Sequence, residues 1–300
     1  MKRNSNSKSR KGIILAGGTG TRLWPVTVAS SKQLLPVYDK PMIFYPVSTL
    51  MLAGIKEILI ITTPDDRKQF ERLLGDGSDW GIKLSYETQP TPDGLAQAYL
   101  IAEKFLGGAP SAMILGDNLF FGVGLSKLLQ DASSSSNNTV FGYHVNDPSQ
   151  YGVVTFDERG QAVEIVEKPK NPSSNYAVTG LYFLDENAST VAKSVEPSPR
   201  GELEITSVLQ AYLESKNLRV ASLGRGFAWL DTGTHKNLLD AGNFVKTLTE
   251  RQGLLVGSPD EVAYRQSWIT REQLSKRAEK FSKNEYGASL KKIVGDFHNL

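Results

Sequence analysis

The 300-residue sequence predicts an α/β fold in which a mixed, mainly parallel central sheet is flanked by helices. Three observations predict it. Short apolar segments alternate with helix-like segments through the first half of the chain. Glycine-rich or polar turns follow two of these apolar segments, and closely spaced strand-like segments fill the second half. Strands separated by helices of this length imply right-handed crossovers, so we expect a Rossmann-like core with added antiparallel strands.

The elements follow in order along the chain. In the first half, strands are predicted at 13–16, 57–62, 83–87 and 112–115, and helices at 42–53, 67–74 and 95–106. In the second half, strands suited to antiparallel additions are predicted at 140–144, 152–156, 162–166 and 178–183, and helices at 185–195, 203–215 and 235–249. We expect a disordered basic tail over residues 1–11, one main domain over 12–250 and a helical C-terminal appendage of the same unit over 251–300.

The composition excludes several classes of protein. Hydrophobic residues make up 40% of the chain and charged residues 22%, which is ordinary globular usage and excludes disordered and collagen-like chains. The net charge of +2 is too small for a nucleic-acid surface, and no apolar run is long enough to span a membrane, so we expect neither partner. The absence of cysteine excludes disulfides and thiolate metal sites, and agrees with the cytoplasmic location that we expect.

A glycine turn follows the first predicted strand, where residues 11–27 are KGIILAGGTGTRLWPVT. Between a strand and a helix, such a turn lets backbone N–H groups converge on an anion, and the helix terminus adds partial positive charge. The segment lacks the Gly-Lys-Ser/Thr ending of kinase-type phosphate loops, and Leu23 occupies the third glycine position of the dinucleotide fingerprint. A turn required only by packing is the alternative, but three glycines followed by Arg22 favour phosphate binding.

The continuation carries a longer pattern, since residues 19–42 are TGTRLWPVTVASSKQLLPVYDKPM. The combined pattern GGxGTRLxPxTxxxxKxLLPVxxKPM resembles the signature of sugar-1-phosphate nucleotidyltransferases. The resemblance extends over residues 11–270 through GDNLFFG, VEKP, YAVTGLYF, PSPRGELEIT and WLDTGTH. It implies that the domain over 12–250 has a nucleotide half and a sugar-phosphate half. It also implies transfer of a thymidylyl group from dTTP to glucose 1-phosphate, as the first step of deoxysugar synthesis.

The resemblance implies the groups that carry this chemistry. Because both reactants are polyanions, catalysis would rest on positioning and charge neutralisation. Asp117 and Asp231 are implied ligands of Mg2+, which favours one or two carboxylates. From the residues alone, Asp117 could instead cap a following helix, and Asp231 could form an Asx turn. Arg22 and Lys32 are implied to contact the triphosphate and Lys168 the sugar phosphate, the alternative being solvated charges or salt bridges.

The resemblance also implies two substrate subsites. The nucleotide subsite would contain Leu15, Gly17, Gly18, Gly20, Thr21, Arg22, Gln33, Gln89, Gly94 and Asp117. The sugar-phosphate subsite would contain Gly152, Glu167, Lys168, Asn175, Val178 and Arg200. Gln89 can offer an acceptor and donors to a pyrimidine edge. Arg200 either reaches the phosphates or orders its own loop; without the family, Gly94 would be a turn glycine and Val178 a core residue.

The resemblance also implies a regulatory site, and two alternative functions remain open. Five residues match regions that form a regulatory nucleotide-sugar pocket between subunits of a homotetramer in the family: Leu52, Phe121, Gly122, Glu261 and Arg265. A histidine common after the FFG motif is replaced by Ser126, so feedback inhibition is a hypothesis. An enzyme that uses UTP or CTP is one alternative, although PSPRGELEIT and the short helical C-terminus favour dTTP. A non-catalytic nucleotide-sugar sensor is another, and it predicts a lost metal ligand or phosphate cation.

Overall fold

The computed structural model describes residues 8–295. The strands are β1 Lys11–Ala16, β2 Pro36–Val37, β3 Lys40–Pro41, β4 Glu57–Thr62, β5 Lys83–Thr88, β6 Ser111–Leu115, β7 Asn118–Gly122, β8 Asn138–His144, β9 Gly152–Phe156, β10 Ala162–Glu167, β11 Tyr176–Leu184, β12 Leu218–Leu223 and β13 Phe227–Asp231. The helices are α1 Phe44–Leu52, α2 Arg67–Leu74, α3 Gln97–Ile101, α4 Glu103–Leu106, α5 Leu125–Ser134, α6 Ala188–Lys193, α7 Ile205–Glu214, α8 His235–Gln252, α9 Pro259–Arg265, α10 Arg271–Lys280 and α11 Glu285–Gly295.

A nine-stranded mixed sheet lies at the centre of the molecule. Strands β5, β4, β1 and β6 are adjacent and parallel, with Ile13 of β1 opposite both Leu59 and Met113. Strand β11 is antiparallel to β6, β8 and β9, and its Ala177 lies opposite both Tyr143 of β8 and Val153 of β9. Strand β10 extends the sheet beyond β9, and β12 extends it beyond β8. The predicted mixed sheet is confirmed.

The sheet buries both of its faces. Side chains alternate along each strand, so Ile14 and Ile60 enter one apolar core while Ile13 and Leu59 enter the other. Helix α1 packs into the first core, and α3, α6 and α7 pack into the second. Burial on both faces explains why β1, β4 and β6 are continuous apolar runs, because a strand covered on both sides has no solvent-facing positions.

The order of the strands opens a crevice. Strand β1 lies between β4 and β6, so the chain leaves β1 in one direction and returns on its other side at β6. At such a switch point the carboxyl ends of neighbouring strands diverge and make room for a ligand. The glycine turn follows β1 and Asp117 follows β6, with the Gly116 N–H donating to the Leu15 carbonyl at 2.9 Å. The fold therefore places two of the predicted functional segments side by side.

Several boundaries differ from the sequence predictions. The glycine turn runs into a short 3-10 helix, Thr21–Leu23, so the expected α-helix terminus beside the turn is wrong. The predicted helix 95–106 is two short helices, α3 and α4, and strands β2, β3, β7 and β12 and helix α5 were not predicted. The expected tail over residues 1–11 ends too late, because Lys11 begins β1 and the Arg10 guanidinium donates to the Ser111 and Leu184 carbonyls at 2.6 and 2.8 Å. Residues 1–7 lie outside the described residues.

The C-terminal helices attach to the same apolar core. Ser258 caps α9 by accepting from the Glu261 N–H at 3.2 Å, and Thr270 begins α10 with a capping box. The Arg277 guanidinium donates to buried Asp260 at 2.6 Å and also binds Asp79. These contacts join α9 and α10 to the segment before β5. Within residues 8–295, no helix has the length and apolar character needed to cross a membrane.

Candidate active site

A cavity of about 510 Å3 opens at the carboxyl ends of β1 and β6. It is lined by most of the residues that the sequence singles out: Leu15, Gly18, Gly20, Thr21, Arg22, Lys32, Gln33, Gln89, Gly94, Asp117, Gly152, Glu167, Lys168, Val178, Arg200 and Asp231. Two of the residues predicted for the substrate subsites are not in this lining. Gly17 lies against the side chain of Gln89, and Asn175 is exposed, with its carbonyl accepting from the Val145 N–H at 2.9 Å.

The glycine turn has two positions that need glycine. Gly20 has a left-handed φ of 65°, and its carbonyl accepts from the Leu23 N–H at 2.9 Å and the Thr27 hydroxyl at 2.7 Å. A Cβ on Gly17 would lie 2.1 Å from Oε1 of Gln89, so any larger residue there would displace the Gln89 side chain. The turn therefore combines an unusual backbone with a close approach to a cavity side chain.

Asp117 is held by two partners in a buried network. The Lys32 ammonium binds one carboxylate oxygen, and the Asn118 amide donates to the other at 2.9 Å. Trp229 Nε1 donates to the Asn118 oxygen at 2.6 Å, which fixes the orientation of that amide. Because a strand follows Asp117, the helix-cap alternative is wrong. Sequence reasoning did not single out Asn118 or Trp229, although each stands in a motif, GDN and WLD, that carries a predicted aspartate.

The ion pair shifts the pKa values of both its members. Burial alone would raise the pKa of the Asp117 carboxyl, but the attraction of Lys32 and its hydrogen bond outweigh burial and hold that pKa below its usual range. Burial would likewise lower the pKa of the Lys32 ammonium, and the attraction of Asp117 raises it instead. Both side chains are therefore charged at neutral pH.

Asp231 ends β13, where it stands opposite Asn118 in the antiparallel pair β7–β13. The Gly233 N–H donates to its carboxylate at 3.0 Å, so the Asx-type turn exists and places the carboxylate at the cavity. Burial, followed by repulsion from Asp117, raises the pKa of Asp231 to about 6. Two carboxylates thus share one pocket with Lys32 as the bound cation, which leaves a site favourable for further positive charge.

A second part of the cavity lining lies at the end of β10 and directly after it. Lys168 adopts a left-handed φ of 40°, which is uncommon outside glycine and typical of functional sites. Its N–H donates to the Tyr151 carbonyl at 3.0 Å, and its ammonium lies 3.4 Å from the Glu167 carboxylate. The Thr206 hydroxyl donates to the other oxygen of Glu167 at 3.2 Å. This part of the lining therefore presents a cation in an unusual, supported backbone conformation.

Arg200 belongs to the same part of the lining but is engaged by acidic neighbours. Its guanidinium lies 2.8 Å from Glu204, 3.4 Å from Glu202 and 3.5 Å from Glu167. The hydrogen bond to Glu204 is the main reason that the pKa of Arg200 is raised. Of the two roles left open by the sequence, these contacts favour the ordering of the loop.

The predicted regulatory residues lie away from this cavity. Glu261 and Arg265 form an ion pair at 2.7 Å within α9, and burial raises the pKa of Glu261. The Phe121 ring packs edge-on against Phe244 at 5.8 Å. Leu52 ends α1, which packs against both β7 and α9. The structure thus groups the predicted regulatory residues around α1, outside the catalytic cavity.

Comparison with known proteins identifies the family. The family model for nucleotidyl transferases matches residues 11–247. A glucose-1-phosphate thymidylyltransferase from Xanthomonas campestris pv. campestris (strain B100) is 58% identical over 282 residues, which are 94% of this chain and 96% of the relative. The chain belongs to the glucose-1-phosphate thymidylyltransferase family.

Another curated relative and two solved structures are also similar to this chain. The protein from Neisseria gonorrhoeae is 54% identical, over 95% of this chain and 99% of its own length. A structure described as a glucose-1-phosphate thymidylyltransferase from Bacillus anthracis, in complex with sucrose, is 38% identical, has a TM-score of 0.72, and aligns with 79% of this chain and 95% of its own. A UDP-glucose pyrophosphorylase complexed with UDP-glucose is 26% identical, with a TM-score of 0.71 over 80% of this chain and 99% of its own.

Proposed function

We propose that this chain converts dTTP and α-D-glucose 1-phosphate to dTDP-glucose and pyrophosphate. The observation that carries the proposal is one cavity lined by cations from two separate parts of the chain. Arg22 and Lys32 accompany the glycine turn in one part of the lining, and Lys168 stands in the other. A triphosphate and a sugar phosphate are both polyanions, and this arrangement suits two such substrates brought together. The names of the relatives supply the nucleotide and the sugar.

The two parts of the lining divide the substrates between them. The nucleotide subsite would be the glycine turn together with Gln89 and Gly94, where a backbone with φ of 112° approaches the cavity without a side chain. The sugar-phosphate subsite would be Gly152, Glu167 and Lys168. The Glu167 carboxylate suits sugar hydroxyls, while the Lys168 ammonium suits the phosphate.

The proposed reaction is an in-line substitution at phosphorus. An oxygen of the sugar phosphate forms a bond to the α-phosphorus of dTTP, and the bond from that phosphorus to the bridging oxygen breaks. The electron pair leaves with pyrophosphate, so no protein nucleophile is needed. Lys32 and Arg22 neutralise the triphosphate and the departing pyrophosphate. Lys168 neutralises the attacking phosphate and holds it at the α-phosphorus.

Mg2+ belongs to the same proposal, and the residues present fit it. Asp117 and Asp231 are the two carboxylates that would hold the ion, and burial, followed by repulsion from Asp117, raises the pKa of Asp231, so a bound cation would be favourable there. Within residues 8–295, no group of three or more acidic or histidine side chains forms a metal cluster. A set of two carboxylates suits Mg2+, which takes its other ligands from phosphate and water. The bound ion would supply charge neutralisation at the phosphates.

The partners and location are proposed with the reaction. We infer a homotetramer in the cytoplasm that supplies dTDP-L-rhamnose or another deoxysugar, with a nucleotide sugar acting as feedback inhibitor at α1, β7 and α9. Glu261 and Arg265 offer a charged pair at that position. Inhibition by dTDP-rhamnose in the parent, relieved in Arg265→Ala, is the expected result, and equal inhibition of both proteins would contradict it.

The first test is pyrophosphate release with Mg2+, dTTP and glucose 1-phosphate, beside UTP, CTP, ATP and galactose 1-phosphate. Preferred turnover of dTTP with glucose 1-phosphate is expected. UTP differs from dTTP by the thymine methyl group and by a 2′-hydroxyl. The missing methyl group is expected to lower kcat/KM for UTP by about 10- to 200-fold rather than to zero. Preferred turnover with another pair would keep the mechanism and replace the substrates.

A further inference from the structure

A chain of side-chain hydrogen bonds stands behind Gln89, the residue proposed to read the base. Nε2 of Gln89 donates to Oε1 of Gln97 at 2.6 Å, and Nε2 of Gln97 donates to the Asp93 carboxylate at 3.0 Å. The Thr91 hydroxyl donates to the same carboxylate oxygen at 2.5 Å. Gln89 is 5% exposed and lines the cavity, whereas Asp93 is exposed. These hydrogen-bonded side chains therefore connect the surface with the nucleotide subsite.

The Asp93 carboxylate fixes which atom donates and which accepts in each hydrogen bond of this series. An ionised carboxylate only accepts hydrogen bonds, so it selects the nitrogen side of the Gln97 amide. Gln97 must then turn its oxygen toward Gln89, and that oxygen selects the nitrogen side of the Gln89 amide. The Gly94 carbonyl is a second acceptor for the same nitrogen, at 3.4 Å. Both N–H groups of Gln89 thus face protein acceptors.

The opposite side of the Gln89 amide is its oxygen. Oε1 points toward Gly17, where a Cβ would lie 2.1 Å from it, and it accepts no hydrogen bond from the described part of the chain. Because Gln89 lines the cavity, this oxygen is the polar atom of its amide that remains available to a ligand. The amide, which in principle can offer either polarity, is restricted to one.

We propose that Asp93 and Gln97 are positioning residues that make Gln89 an acceptor and thereby select the base. The inference rests on the proposed function. The N3–H of thymine or uracil is a donor that suits the oxygen, whereas N3 of cytosine is an acceptor and would face it with two lone pairs opposed. These hydrogen bonds from Asp93 through Gln97 to Gln89, called the relay below, therefore discriminate against cytosine. This discrimination is separate from any contact with the thymine methyl group.

The test compares kcat/KM for dTTP with kcat/KM for dCTP in four proteins. Asp93→Asn presents either an oxygen or a nitrogen, so it no longer selects the orientation of Gln97. We expect the dTTP-to-dCTP ratio to fall about 10- to 100-fold, with an absolute rise in dCTP turnover. The double variant Asp93→Asn/Gln97→Glu restores an acceptor beside Gln89 and is expected to recover the parental ratio. Thr91→Val keeps the carboxylate and serves as the matched control, with an unchanged ratio expected.

The outcomes separate this proposal from the proposed function. A parent that turns over dTTP, together with an Asp93→Asn variant whose ratio is unchanged, overturns the relay and leaves the function intact. Equal loss of both activities in Asp93→Asn, without rescue by Gln97→Glu, assigns a merely structural role and also overturns the relay. A parent without dTTP turnover overturns the proposed function and the base assignment with it.

Discussion

Asp231→Asn is expected to stabilise the folded protein while it removes most of the activity. The carboxylate is largely shielded from solvent and lies beside Asp117, and these two causes raise its pKa from 3.8 to about 6. A neutral amide of the same shape is not destabilised by burial or by repulsion from Asp117. Its oxygen can still accept a hydrogen bond from the Gly233 N–H. Loss of one of the two proposed metal ligands is expected to lower kcat by orders of magnitude.

The magnitude follows from the pKa shift of Asp231. A rise from 3.8 to about 6 corresponds to about 3 kcal/mol at 1.36 kcal/mol for each pKa unit. The folded state holds the proton more tightly than the unfolded state does. The ionised Asp231 carboxylate therefore does not destabilise the folded protein below about pH 4. The destabilisation grows as the pH rises toward 6 and is complete above pH 6. The stabilisation gained by Asp231→Asn must follow the same course.

The assay is thermal unfolding in EDTA at pH 4 and pH 7.5, since a bound metal ion would itself neutralise the carboxylate. For 300 residues the unfolding entropy is about 0.6 kcal/mol/K, so about 3 kcal/mol corresponds to a Tm rise of about 5 °C at pH 7.5. At pH 4 the two proteins are expected to unfold at nearly the same temperature. Pyrophosphate release at saturating substrate and Mg2+ gives kcat for both.

Asp240→Asn is the matched control, because Asp240 is exposed on α8 and away from the cavity lining. Its stability is expected to change by no more than about 0.5 kcal/mol at either pH, with kcat unaffected. The reasoning about Asp231 is refuted if its variant is no more stable than the parent at pH 7.5, or if the gain persists undiminished at pH 4. Near-normal turnover would remove Asp231 from the metal site.

Three further predictions concern other parts of the molecule. Lys168→Ala is expected to raise KM for glucose 1-phosphate about 10-fold or more while KM for dTTP changes little, and an unchanged sugar-phosphate KM would count against its role. Gly17→Ala drives a methyl group into Gln89 and is expected to raise KM for dTTP, whereas Gly18→Ala, whose Cβ meets nothing nearer than 3.9 Å, serves as the milder control; equal effects would contradict the geometry. Arg277→Ala leaves its buried aspartate partner unpaired and is expected to lower the free energy of unfolding by about 3–5 kcal/mol, measured by urea titration, and a loss under 1 kcal/mol would argue against the pair.

Local patterns predicted much of the fold. Strand β4 and helix α2 have the predicted bounds, because β4 is a short continuous apolar run, α2 has an amphipathic pattern, and turn residues follow each of them. Strands β7 and β12 were missed for a physical reason. Their stability comes from pairing with β13 and β8, which are remote in the sequence, and local propensity carries little of that information.

In the candidate site, too, some residues were predicted from the sequence and others were identified only from the structure. The motifs supplied the carboxylates and cations, but Asn118 and Gln97 act through partners that the motifs do not reveal. Asn118 is significant because Trp229, 111 residues away, fixes its amide beside Asp117. Gln97 is significant because an aspartate on one side and Gln89 on the other give its amide a direction.

The sequence by itself determined which chemical groups this protein can use: a glycine turn at a strand end, the phosphate-binding cations and two aspartates. These depend on residue type and near-neighbour spacing, which the chain carries before it folds. Only the tertiary structure decided the state of those groups. Lys32 pairs with Asp117 across 85 residues, and the pKa of Asp231 rises because folding buries it beside that aspartate. Charge, burial and hydrogen-bond direction depend on distances between remote residues, which exist only once the sheet has assembled.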